Sequence, residues 1–113
     1  MPKRDVRITL RQILDSAREA HAMVQGWERE TLDTNRMLAL ALVRLLEIIG
    51  EAASRVPSDE RAGYPGIPWT ELVALRNRLI HAYDRVDLDI VWQIATLDLP
   101  GLIRALEQIP ELS

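Results

Sequence analysis

Of the side chains that trade a proton near neutral pH, this sequence holds two, His21 and His81, and only His81 stands in promising company. It closes the run Arg76-Asn77-Arg78-Leu79-Ile80-His81-Ala82-Tyr83. On a helical projection centred on Arg76, Leu72, Leu75 and Leu79 fall on one side and Val73 and Ile80 on the other. That puts a guanidinium, which ordinary pH cannot neutralise, in the middle of an apolar stripe. A charge placed there calls for a carboxylate, a phosphate or the water of a cleft. A buried ion pair with Glu47 or Glu51 is an equal alternative. His81 lies about 140° round from Arg76, with Asn77 between them, so the three make a polar edge able to flank one ligand. Tyr83, about 20° from Arg76 on the same projection, reads as a core aromatic with its hydroxyl at the rim. His21 has no such neighbours and reads as a surface residue of the first helix. Asp84, Asp87 and Asp89 crowd the next turn, but the glycine and closing glutamate of a calcium loop are missing. Asp87 reads as a helix cap, and no metal site is expected.

The elements that must position these groups are helical. Val6, Leu10, Ile13, Leu14, Ala17, Ala20 and Val24 recur at three- and four-residue steps, which predicts an amphipathic helix from Asp5 to about Gly26. Gly26 stands where a C-terminal cap would, and Thr31, Asp33 and Thr34 offer N-cap oxygens for a second helix, about Asp33 to Val56. This second helix is apolar nearly all round, with Arg44, Glu47, Glu51, Ser54 and Arg55 confined to one narrow strip. A domain this small cannot cover so wide an apolar face, so part of it is expected to pack against a second copy of the chain. Pro57 to Pro68 reads as a loop. Pro68-Trp69-Thr70-Glu71 opens a third helix to about Tyr83, and Asp87 caps a fourth from Leu88 to about Thr96. Pro100 restarts or kinks that helix, whose last turns run to Ile109. The expected fold is all-α, an up-down bundle of four main helices with a short C-terminal helical segment, forming one domain over residues 1–113.

Composition narrows the chemistry. There is no cysteine, which excludes disulfides, thiolate zinc sites and a cysteine nucleophile and suits a reducing cytoplasm. The basic N-terminus has no apolar segment behind it, and no run approaches the ~18 apolar residues of a membrane span, so a cytoplasmic protein without membrane contact is expected. A formal charge of −3 argues against a general nucleic-acid coat, and leaves room for a local contact or a cleft built from two chains.

Arg76-Asn77-Arg78-Leu79-Ile80-His81-Ala82-Tyr83 spells R-x4-H-x-Y and resembles the motif of the HEPN superfamily in its HepT-like branch. Ile48-Ile49-Gly50-Glu51-Ala52-Ala53 resembles the family's second-helix segment, while Ile67-Pro68-Trp69 and Val86-Asp87-Leu88-Asp89-Ile90-Val91-Trp92 are similar to the flanks of its motif helix. The segments occur in order over nearly the whole chain.

The resemblance implies the toxin of a type VII-like toxin–antitoxin system, a homodimeric, metal-independent endoribonuclease needing no cofactor. Arg76 and His81 of both protomers would form one composite site. It implies as partner a minimal nucleotidyltransferase antitoxin of the MntA type, which transfers AMP to Tyr83. Asn77 and Glu51 match supporting positions, and Asp84 replaces a frequent aromatic, which bears on antitoxin contact. The residue types suit such chemistry, since cleaving RNA without a metal needs a near-neutral group to move protons and a fixed cation for the phosphorane charge. The competing reading is a non-catalytic HEPN module that binds nucleotide or RNA, or docks the nucleotidyltransferase.

Overall fold

The computed structural model describes residues 5–81 and 85–112, and of residues 80, 81 and 85 the backbone alone. Helix α1, Val6–Met23, starts where the Asp5 carboxylate accepts the Arg7 N–H, and Gly26 turns the chain out with φ +81°. The next helix begins in two pieces, α2 at Thr31–Thr34 and α3 at Arg36–Ser54. The cap of α3 is Asn35, whose side-chain oxygen accepts the Leu38 N–H at 3.0 Å, and not Thr31, Asp33 or Thr34. Thr31 instead takes the Glu28 N–H, and Arg29 holds Asp33, so those side chains are spent on the turn before α3. The expected loop contains one helical turn, α4, at Ser58–Arg61.

Helix α5, Trp69–Val73, and helix α6, Leu75–Leu79, form one rod interrupted at Ala74. A two-residue antiparallel ladder follows, β1 at Ile80–His81 against β2 at Arg85–Val86, then α7 at Leu88–Gln93. Asp87 caps α7 as expected, accepting the N–H groups of Asp89 and Ile90. A π turn at Ile94–Asp98 joins α7 to α8, Leu99–Glu107, and a 3-10 turn at Pro110–Leu112 ends the described chain.

Pro100 falls in the first turn of α8, and the expected restart takes the form of a widened turn rather than a break. The turn ahead of it widens, with the Leu99 N–H reaching the Ile94 carbonyl, so the proline ring avoids the clash a regular α turn would impose. The cost falls on the Ala95 carbonyl, because Leu99 points elsewhere and Pro100 has no N–H. His21 on α1 supplies the missing donor, its Nδ1 standing 3.1 Å from Ala95 O, while Gln25 lies 3.3 Å from Nε2. A carbonyl only accepts, so Nδ1 carries the hydrogen. The expected surface histidine is a half-buried strut between two helices.

The core collects Leu10, Ile13, Leu14 and Ala17 of α1, Leu42, Leu46 and Ile49 of α3, Leu72, Leu75 and Leu79 of α5 and α6, and Val91, Ile94, Leu99 and Leu106 of the last helix. Cross-links fix the alternating directions. Arg55 near the end of α3 reaches Gln12 near the start of α1, Arg18 pairs with Glu107 at 2.7 Å, and Arg11 donates to the Leu112 carbonyl. The result is the all-α bundle of four main helical rods with a short C-terminal segment.

Candidate functional site

The motif rod is anchored at its start. Trp69 donates its indole N–H to the Tyr64 carbonyl at 3.0 Å, and Arg61, tied to the Val56 carbonyl, lies over the indole 5.8 Å from its centre. This is the work of the tryptophan in Ile67-Pro68-Trp69. Halfway along, α3 comes close. A Cβ added to Gly50 would stand 3.2 Å from the Leu72 carbonyl oxygen, 3.3 Å from Leu75 Cβ and 3.9 Å from the Arg76 N. A larger residue would press the two backbones apart there by a few tenths of an ångström, and the rod is interrupted at Ala74, beside that contact. The second-helix segment therefore seats the backbone of Arg76 directly.

Arg76 itself is exposed. The burial seam runs through Leu72, Leu75 and Leu79, while Val73 is 39% exposed, so the stripe is narrower than the projection implied and Arg76 lies beside it. Among the described residues it has no ion pair, which overturns the alternative of a buried bridge to Glu47 or Glu51. Glu51 is exposed and faces Arg44 at 3.3 Å, two turns earlier on α3. Asn77 is exposed next to Arg76.

The helix does not reach Tyr83 as expected. It ends at Leu79, whose carbonyl accepts the Asp87 N–H at 2.8 Å as the chain returns. Ile80 and His81 pair with Val86 and Arg85 in the ladder, so the helical spacing of about 140° between Arg76 and His81 does not apply. His81 instead leaves the rod in extended backbone, two residues past the helix end. Its side chain, and Tyr83 and Asp84 entirely, lie outside the described residues.

Around this point α3 presents a mixed surface. Arg44, Glu51, Ser54 and Arg55 are exposed and Glu47 half-buried, as the polar strip predicted. Toward the N-terminal end the same helix leaves Met37 83% and Leu40 53% exposed. Leu40, with Val43, Val86 and Leu88, borders a groove of about 500 Å³ alongside β2. Sequence reasoning placed none of these beside the motif, because the ladder that brings Val86 back to α3 has no periodic signal over two residues.

A small helical bundle with an exposed arginine on its third rod defines the class. The chain belongs to the Ribonuclease HepT-like family, whose model matches residues 13–109. It is similar to two proteins of Methanocaldococcus jannaschii, each provisionally named an RNase. One is 38% identical over 96% of this chain and 90% of the relative, the other 38% identical over 95% and 98%. A protein of Thermococcus cleftensis provisionally named ribonuclease HepT is 34% identical over 85% of this chain and 91% of its own. No solved structure matches. No helix among the described residues is long and apolar enough to cross a membrane.

Proposed function

We propose that this chain is a metal-independent endoribonuclease, the toxin of a type VII-like toxin–antitoxin pair, acting as a homodimer with Arg76 and His81 of both protomers in one cleft. The observation that carries the reading is Arg76. In a chain of the HepT-like family, its guanidinium is exposed and without an ion pair among the described residues, while its backbone is seated against Gly50. A cation held at its root and free at its tip is suited to receiving a phosphate.

In that cleft one His81 takes the proton of a ribose 2′-hydroxyl as the oxygen attacks the adjacent phosphorus. The other protonates the departing 5′-oxygen, leaving a 2′,3′-cyclic phosphate, while the Arg76 pair neutralises the phosphorane. A single usable histidine per chain makes the second copy part of the chemistry. Silencing follows if a minimal nucleotidyltransferase of the MntA type directs the Tyr83 phenol at the α-phosphorus of ATP, releasing pyrophosphate. The resulting AMP ester adds bulk and negative charge near the place meant for substrate phosphate.

The test incubates purified protein, its tyrosines shown unmodified by intact mass, with an RNA oligonucleotide in EDTA. Products ending in cyclic phosphate are expected from the natural chain, and none from Arg76→Ala or His81→Ala. RNA that binds but stays whole would establish the non-catalytic module instead, the reading for which the net charge of −3 speaks.

A further inference from the structure

Along the motif rod lies a cavity of about 600 Å³ between α5–α6 and the last helix. That is within the range of small-molecule sites. Its floor is apolar, built from Leu72, Leu75, Ile94, Leu99 and Leu102, all buried. Charge is confined to the mouth. Glu71 has no ion pair or side-chain hydrogen bond among the described residues, and neither does the Gln93 amide. Asp98 is held only by Arg78, at 3.4 and 3.5 Å, in a half-open pair. The lining thus carries two carboxylates against one guanidinium.

Two features keep the cavity open where nothing in the packing demands it. Gly101 is a helical glycine without positive φ, and a Cβ there would meet nothing nearer than the tip of Arg104 at 3.9 Å; at Gly66 a Cβ would meet nothing within 4 Å. The wall between α7 and α8 is the π turn, a feature that recurs at functional sites, and His21 stabilises it through the Ala95 carbonyl.

We propose that this cavity is a ligand site, separate from the cleft at Arg76, for a small organic cation: an apolar body resting on the leucine floor and an ammonium at Glu71 and Asp98. Arg78 holds only the Oδ2 atom of Asp98, so an ammonium there takes the other carboxylate oxygen.

The test titrates the full chain, followed by amide NMR, with 4-phenylbutylamine and with its anionic and neutral counterparts, 4-phenylbutyrate and 4-phenylbutanol. Saturable binding is expected for the amine, at least tenfold tighter than for either counterpart, with the largest shifts at Gly101 and the Gln93 side chain. Glu71→Gln and Asp98→Asn each weaken the amine threefold or more without weakening the alcohol. Gly101→Leu, which favours the helix and whose Cβ meets nothing nearer than 3.9 Å, abolishes binding while the amide spectrum stays that of the folded chain. The proposal is overturned by the absence of saturable amine binding, by an acid or alcohol that binds as tightly as the amine, or by a Gly101→Leu variant that binds unchanged. None of these readouts requires RNA cleavage, so the result stands apart from that of the ribonuclease assay.

Discussion

An arginine that faces water leaves little behind when it is removed. Because Arg76 is exposed and has no ion pair among the described residues, Arg76→Ala should change the unfolding free energy by no more than about 0.5 kcal/mol, measured in urea. Loss of RNA cleavage in that variant would then report on the site and not on the fold. Asp5 is a residue of the opposite kind, with a structural charge. Hydrogen bonds from the Arg7 side chain, and next from its backbone N–H, hold the Asp5 carboxyl below the usual carboxylate range. A depressed folded value means the contribution is present above the unfolded pKa and lost as pH falls through the folded one. Asp5→Asn should therefore lower Tm at pH 7, and the difference should close in strong acid.

At the scale of elements, the informative positions are those where two helices share a constraint. Gly50→Ala gains about 0.5–1 kcal/mol of helix propensity, yet its methyl meets the Leu72 carbonyl at 3.2 Å, and overpacking of this kind costs about 1–3 kcal/mol. The backbone oxygen has little freedom to retreat, so a net destabilisation of about 1 kcal/mol is expected in chemical denaturation. His21 and Pro100 are coupled through an atom belonging to neither. His21→Ala leaves the Ala95 carbonyl without its donor, whereas Pro100→Ala returns an N–H to the helix and lets the π turn relax. In a double-mutant cycle the cost of His21→Ala should shrink by at least about 0.5 kcal/mol when residue 100 is alanine. These cases also show what the sequence could convey. The helices of the bundle, the Asp87 cap, the polar strip of α3 and the motif were legible, because each is written in local periodicity or local side-chain chemistry. The early end of the motif rod at Leu79, the exposure of Arg76 and the strut at His21 were not. Each depends on a segment outside the helix that carries it: the return through Asp87, the approach of Gly50, and the widening ahead of Pro100.

For the whole molecule the question is what covers the outer face of α3. A chain of 113 residues has limited surface to spare, yet Met37 and Leu40 stand 83% and 53% exposed, Leu40 on the rim of a groove that also takes in Val86. The groove runs along β2, whose partner strand carries His81, so a second copy seated there would approach the motif from outside. Exposed apolar side chains grouped in this way are the usual mark of an interface. On the dimeric reading, Leu40→Glu places a charge in that contact and should shift the protein from dimer to monomer in sedimentation at micromolar concentration, with helicity kept because residue 40 is not in the core. Cleavage should fall with the dimer fraction and recover as protein concentration rises, since each monomer retains an intact Arg76 and His81 and lacks only its counterpart. A Leu40→Glu monomer that cleaves RNA at the full rate would show instead that one chain suffices, and the two-histidine mechanism would have to be abandoned.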